Sequence, residues 1–125
     1  MSGVYLQEIS SQNTEWLTRR QALVASNVAN ASTPGYRARD LPAFSSLLDA
    51  SVISMTTTNA AHMTATPGEP GAIRSIESTP TDATLSGNTV NLEQQMMNLG
   101  DINRAFTLNA GIKRAFHQML LAALK

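Results

Sequence analysis

Large apolar side chains recur at helical spacing in the first part of the chain. Ile9, Trp16 and Leu23 are seven residues apart, and no proline occurs before Pro34. Because this spacing aligns apolar side chains on one face of an α-helix, it predicts an N-terminal helix within residues 1–31, over about residues 4–30.

A second and longer apolar stripe runs through residues 89–125. Its members stand mostly three or four positions apart: Leu92, Met96, Leu99, Ile102, Phe106, Ala110, Phe116, Leu120 and Ala123. Asn91 is a good helix cap, and Gln94 stands three residues later as a reciprocal partner. The pattern predicts a C-terminal helix that begins after Asn91 and fills the rest of this stretch.

The chain between the two stripes is polar. Residues 32–49 are predicted to form a turn and an extension, and residues 50–88 a linker rich in Ser, Thr, Pro and Gly. That linker contains only seven large apolar residues, so it buries little by itself. The alternation that ends at Ile76 becomes a strand only if another segment offers an edge.

The predicted fold is therefore mainly α: long N- and C-terminal helices pair as an antiparallel, coiled-coil-like hairpin, joined by a long polar, largely irregular loop. Each stripe then has a single neighbour, whereas helix bundles usually close with three or four helices. Other subunits are the simplest source of further helices. The alternative is a small monomer in which Val52, Ile53 and Leu85 fold back over the pair.

Charge and composition narrow the possible functions. The chain has 9 basic and 9 acidic residues and no cysteine, and only 14% of its residues are charged. Zero net charge disfavours electrostatic binding of nucleic acid or of anionic lipid. Neither a membrane span nor a cleavable signal peptide is expected. A neutral polar surface suggests extensive contact with neighbouring subunits.

No catalytic, cofactor-binding or metal-binding residue is predicted. His62 and His117 lack a second ligand at helical spacing, and the sequence contains neither a nucleophile elbow nor a phosphate-binding loop. Met96, Met97 and Met119 are open to two interpretations, as ordinary core residues or as an adaptable surface for a partner helix.

The most informative segment follows the N-terminal helix. Pro34 and Gly35 suit the centre of a type II turn, which requires a positive φ at Gly35. Asn27 and Asn30 lie towards the apolar side of the helix, where a buried amide must be hydrogen-bonded. Such amides are expected to fix the register against a partner helix.

Residues 27–40 read NVANASTPGYRARD. They resemble the N-terminal signature of the bacterial flagellar rod and hook family: Asn-hydrophobic-Ala-Asn, two spacer residues, Thr-Pro-Gly-Tyr and a basic residue. A second match, GNTVNLE at residues 87–93, leads into a long helix as in the rod proteins. The short chain favours a rod protein over the relatives that carry large inserted domains. Of the rod proteins, the proximal rod protein is the one that the sequence resembles most.

The resemblance implies a structural subunit of the flagellar basal-body rod and no enzyme. Such a subunit is exported by the flagellar type III apparatus without a cleaved signal peptide, assembles helically in the periplasmic rod through its terminal helices, and transmits torque. The implied partners are copies of itself, other rod proteins, and basal-body ring or export-gate components, with no nucleic acid, no cofactor and no direct membrane insertion.

We expect one set of residues to carry assembly, in the turn segment and on the C-terminal helix. They are Asn27, Asn30, Pro34, Gly35, Tyr36, Leu99, Phe106, Phe116 and Leu120. The alternative function is a small soluble helical adaptor that binds an amphipathic helix of one partner.

Overall fold

The computed structural model describes residues 2–51, 74–78 and 83–124. In chain order these residues form α1 (Ser2–Ala29), β1 (Arg39–Asp40), α2 (Phe44–Ser51), β2 (Ile76–Glu77) and α3 (Leu92–Ala123). The two long helices dominate, and the predicted mainly helical fold is confirmed.

The long helices α1 and α3 pack against each other in antiparallel orientation. Asn109, just past the middle of α3, hydrogen-bonds Ser10 in the first half of α1, whereas Gln95, at the start of α3, hydrogen-bonds Asn27 near the end of α1. The predicted hairpin of terminal helices is therefore confirmed.

The start of α3 follows the predicted cap in part. The Asn91 side chain accepts a hydrogen bond from the Gln94 backbone N–H at 3.2 Å, as a cap requires. The Gln94 side chain instead donates to Asn98 Oδ1, one turn later, at 3.2 Å. The expected reciprocal bond from Gln94 back to Asn91 is therefore not formed, because the amide is engaged further along the helix.

The hydrophobic core lies between α1 and the first half of α3. Leu17 and Ile102 occupy its centre and are 1% and 0% exposed. The other buried members of the cluster are Trp16, Val24 and Leu41, and the half-buried residues packed against it are Leu23, Phe44, Leu47, Leu99, Ala105 and Phe106. The seven-residue spacing from Trp16 to Leu23 thus marks the core side of α1.

One element was not predicted, the short helix α2. Its Phe44 and Leu47 pack against the core, and the Phe44 ring lies 6.0 Å from the Trp16 ring, centroid to centroid. The Trp16 indole N–H also donates to the Pro42 carbonyl at 3.0 Å. The expectation that each long helix has a single apolar neighbour is therefore corrected, since α2 and the residues before it cover part of α1.

The strands β1 and β2 pair in antiparallel register, Arg39 with Glu77 and Asp40 with Ile76. The segment that ends at Ile76 was predicted to form a strand only if another segment offered an edge, and β1 provides that edge. Most of the linker predicted over residues 50–88, including Val52 and Ile53, lies outside the described residues. Leu85 is fully exposed and does not cover the helix pair.

Candidate functional site

Two sequence signatures that lie about fifty residues apart meet where α1 ends and α3 begins. The Gly35 backbone N–H donates to the Ser86 carbonyl at 2.9 Å, and the Thr89 N–H donates to the Tyr36 carbonyl at 3.0 Å. We call this region, residues 27–41 together with residues 84–95, the junction. Sequence reasoning treated its two halves as separate motifs.

The junction contains the predicted Pro-Gly turn. The Tyr36 N–H donates to the Thr33 carbonyl at 3.2 Å, which closes a turn with Pro34 and Gly35 at its centre. Gly35 has φ +72°, the positive value that was predicted. Gly87 has φ +78°, and a Cβ atom on it would lie 3.6 Å from Gly35 Cα, so two left-handed glycines face each other.

Asn27 is 1% exposed and is engaged entirely within its own chain. Its Nδ2 donates to the Arg39 carbonyl at 2.8 Å and to Gln95 Oε1 at 3.0 Å, and its Oδ1 accepts from the Arg39 N–H at 3.0 Å. The amide thus pairs with the Arg39 backbone as a neighbouring strand would. Its contact with Gln95 fixes the register of α1 against α3.

Asn30 and Tyr36 also make contacts close to the end of α1. The Asn30 Nδ2 donates to the Ser26 carbonyl at 2.8 Å, and its Oδ1 accepts from the Thr33 hydroxyl at 3.2 Å. The half-buried Tyr36 has its hydroxyl 3.4 Å from Asn27 Oδ1. A role in assembly stays a prediction for Asn27, Asn30 and Tyr36.

Asn88 is the central residue that sequence reasoning missed. It is 3% exposed, and its Nδ2 donates to three carbonyl oxygens of the turn after α1, those of Asn30 at 2.9 Å, Ala31 at 3.0 Å and Thr33 at 2.8 Å. Its Oδ1 accepts from the Val90 N–H at 2.8 Å. One amide therefore satisfies the backbone on both sides of the junction. The only sequence signal was its place within the second signature.

Backbone contacts extend the junction to β2. The Thr89 hydroxyl oxygen accepts from the Ala38 N–H at 2.9 Å, and the Ala38 carbonyl accepts from the Ser78 N–H at 3.0 Å and the Ser78 hydroxyl at 3.1 Å. Ala38 is 2% exposed. The two ends of the segment between Ala38 and Ser78 therefore lie next to each other.

A bidentate ion pair lies beside the junction. Arg20 Nε and Nη2 donate to the two carboxylate oxygens of Asp40 at 2.9 and 3.0 Å. The guanidinium also lies over the Trp16 ring, 5.4 Å from its centroid. Both charged side chains are about three-quarters buried, so this pair holds β1 against α1 more firmly than an exposed pair would.

A second polar contact holds the other end of the hairpin. Asn109 Nδ2 donates to the Ser10 carbonyl at 3.0 Å and to Thr14 Oγ1 at 2.8 Å, while the Ser10 hydroxyl donates to Asn109 Oδ1. Amides thus fix the register of α1 and α3 on both sides of the core.

The four apolar residues predicted on one face of α3 divide into two groups. Leu99 and Phe106 pack against the core, whereas Phe116 is half-buried outside it and Leu120 is 48% exposed. Other large apolar side chains are also exposed over the last turns of α3 and at the residue that follows it: Ile112, Met119, Leu121 and Leu124. The apolar face therefore continues well beyond the core.

The described residues contain no cluster of three or more acidic or histidine side chains able to hold a metal ion. None of the described helices is long and apolar enough to cross a membrane.

Comparison with known proteins gives consistent matches. The model of the family described as "Flagella basal body rod protein" matches residues 17–37, which include the Pro-Gly turn. The chain is 36% identical to the flagellar basal body rod protein FlgB of Agrobacterium fabrum over 132 residues, covering 100% of the chain and 96% of that protein. It is 35% identical to FlgB of Escherichia coli K12 and 33% identical to FlgB of Yersinia enterocolitica, each over 66% of both proteins.

Proposed function

The chain belongs to the FlgB family of flagellar basal body rod proteins, which are structural and not enzymatic, and from this premise we propose how it works within the rod. It assembles helically with copies of itself and with other rod proteins, in contact with basal-body ring or export-gate components, and it transmits torque. It reaches the periplasmic rod through the flagellar type III apparatus. Because the chain belongs to this family, the alternative function as a small helical adaptor is not retained.

The observation that carries this proposal is the set of large apolar side chains that are exposed over the last turns of α3 in the described chain. Asn109 lies opposite Ser10, and α3 continues for about 21 Å beyond this contact, at about 1.5 Å per residue. Over these last turns Met119, Leu120 and Leu121 are exposed. Contact with a neighbouring chain would bury Leu120 and Leu121, which are 48% and 52% exposed.

Helical assembly follows if the contacts between subunits join different surfaces. Such heterologous contacts propagate without closing when the rotation does not complete a ring. In this proposal the junction residues Asn27, Asn30, Pro34, Gly35 and Tyr36 keep the hairpin rigid. Leu99 and Phe106 hold α3 in position, and Phe116 and Leu120 contact neighbours. A hairpin fixed by amides on both sides of its core suits the transmission of force.

Two substitutions on the same part of α3 test the proposal. Leu120→Glu places a charge on the apolar face, whereas Gln118→Glu places the same charge on an exposed polar position two residues away. We expect Leu120→Glu to abolish incorporation into basal bodies and motility in a strain that lacks the wild-type gene. Gln118→Glu should support both. Normal incorporation of Leu120→Glu would contradict the proposed contact.

Export is tested separately from assembly. A tagged wild-type chain should leave the cytoplasm in cells with an intact flagellar export gate and stay there in cells that lack the gate. Gate-independent appearance of the chain in the periplasm would contradict the proposed route and leave the contact at Leu120 unaffected.

A further inference from the structure

The helix α3 carries two lines of heptad positions, and α1 occupies one of them. We call the occupied line the first seam. Three of its members stand seven residues apart: Gln95 bonds Asn27, Ile102 packs in the core, and Asn109 bonds Ser10. A seven-residue repeat on one helix face is typical of coiled-coil packing, so α1 and α3 pair in this manner.

A second line of heptad positions runs along the neighbouring face of α3, about 80° around the helix axis from the first. This second seam proceeds from Leu92 to Leu124 in alternating steps of four and three residues, over more than four heptads. Its large apolar members are Leu92, Met96, Leu99, Phe106, Leu120 and Leu124. A heptad pattern sustained over more than about three heptads indicates packing against another helix.

Both ends of the second seam are exposed in the described chain. Leu92 is 51% and Met96 is 67% exposed at its start, and Leu124 is 83% exposed at its end. Leu99 and Phe106, nearer its middle, border the first seam and pack against the core. The second seam is therefore continuous with the α1–α3 interface, yet its two ends have no cover from α1.

The short helix α2 approaches α3 on the other side of the first seam. Phe44 lines an apolar groove together with Leu108 and Ile112, and neither of these two α3 residues belongs to the second seam. Both long-helix neighbours of α3 in the described chain, α1 and α2, thus lie away from the second seam.

We infer that the second seam is the surface on which a helix of a second copy of this chain lies alongside α3. The inference rests on the proposed function and deepens it, because in a helical assembly of copies each chain meets another copy. Lys113 is the only Asp, Glu, Lys or Arg residue in the seam, and the chain has zero net charge. Contact between copies is therefore not opposed by repulsion between like net charges. Asn103 and His117 are further polar members, and single polar residues in a seam restrict its register.

Two adjacent methionines supply matched variants. Met96 belongs to the second seam, whereas Met97 is similarly exposed at 63% but lies off the seam, about 100° around the helix. Met96→Glu should lower incorporation into basal bodies at least about tenfold, because the contact would bury an unpaired charge. Met97→Glu should lower it less than about twofold. Circular dichroism of the isolated chains confirms that both variants fold, and equal incorporation of the two would overturn the inference.

Photo-crosslinking identifies the occupant of the seam. The photoreactive residue p-benzoylphenylalanine replaces Met96 or Met97 in the full-length chain, in cells that also produce a differently tagged wild-type copy. We expect adducts between the two copies in isolated basal bodies from position 96 and few from position 97. Adducts of position 96 with another rod protein alone, adducts within one chain alone, or the absence of adducts would each overturn the inference.

The two sets of variants separate this inference from the proposed function. Normal incorporation of Met96→Glu together with loss of incorporation by Leu120→Glu would overturn the second seam as a contact surface and leave the contact at the last turns of α3 intact. Normal incorporation of both variants would contradict both.

Discussion

At the scale of single residues, Asn88 supports more of the backbone than any other side chain in the junction. We expect Asn88→Asp to lower the free energy of unfolding by about 2–4 kcal/mol, because a carboxylate cannot donate to the three carbonyl oxygens that Asn88 binds and repels them instead. Chemical denaturation followed by circular dichroism measures the change.

Asn103→Asp is the matched control for that substitution. Asn103 is exposed on α3, so the same change of amide to carboxylate should alter the free energy of unfolding by less than about 0.5 kcal/mol. A similar loss in both variants would mean that Asn88→Asp acts through charge alone and not through the lost donors.

Gly35 and Gly111 form a second pair, two glycines with open space around them and different backbone conformations. No atom lies within 4 Å of a Cβ built on either residue, but Gly35 has φ +72° whereas Gly111 lies within α3. Gly35→Val should cost about 1–3 kcal/mol through backbone strain, and Gly111→Ala should stabilise the chain by up to about 1 kcal/mol through helix propensity. Thermal unfolding of the two variants tests both signs. A neutral Gly35→Val would show that the turn relaxes without a left-handed residue.

Asn27→Leu separates the folding role of that residue from its predicted role in assembly. Because the Asn27 amide pairs with both backbone groups of Arg39, leucine would leave a partly buried N–H and a partly buried C=O without their partner. We expect a loss of about 2–3 kcal/mol in the free energy of unfolding. Unchanged stability together with defective assembly would instead assign Asn27 to contacts with other subunits.

Individual residues were predictable where local backbone chemistry dictates them. Gly35 follows from the Pro-Gly pair, and the cap at Asn91 follows from its position before an apolar stripe. Asn88 and Gln95 were not singled out as site residues, because their partners lie at Thr33 and Asn27, more than fifty positions away. Contacts at that separation leave no periodic trace in a single sequence.

At the scale of elements, α3 combines two halves with different surroundings. We expect Phe106→Ala to lower the free energy of unfolding of the isolated chain by about 2–3 kcal/mol, less than for a fully buried Phe, because Phe106 is half-buried against the core. Phe116→Ala should change it by less than about 1 kcal/mol and should impair assembly. Denaturation and basal-body incorporation measure the two effects. Equal destabilisation by both substitutions would mean that the core extends to Phe116.

The helix α2 shows what an element-level reading of the sequence overlooks. Phe44, Leu47 and Leu48 stand at the helical spacing of three and four, but eight residues are too few for a clear periodic signal. The long helices were predictable because their stripes repeat over many turns. Phe44 and Leu47 carry the same spacing over only about two turns, which is too short to distinguish a helix from an irregular segment.

At the scale of the whole molecule, stability should be concentrated around the core. We expect the slowest amide hydrogen exchange in the isolated chain at Leu17, Val24 and Ile102, which are at most 4% exposed, and rapid exchange in α3 beyond Gly111. Mass spectrometry of exchanged peptides tests this gradient, and the same peptides in assembled rods should become protected. Uniform protection along α3 in the isolated chain would mean that its last turns are stable without neighbours.

The hydrogen bonds between Ala38 and Ser78 bear on how the length of the chain can vary. These bonds hold together the two ends of the segment between Ala38 and Ser78. The conformational entropy of closing that segment is therefore already lost when β1 and β2 pair. Each doubling of a flexible loop adds only about 0.6 kcal/mol to the free energy of closure. We therefore expect the hairpin to tolerate insertions of very different size between α2 and β2 with little thermodynamic penalty, while both long helices keep their register.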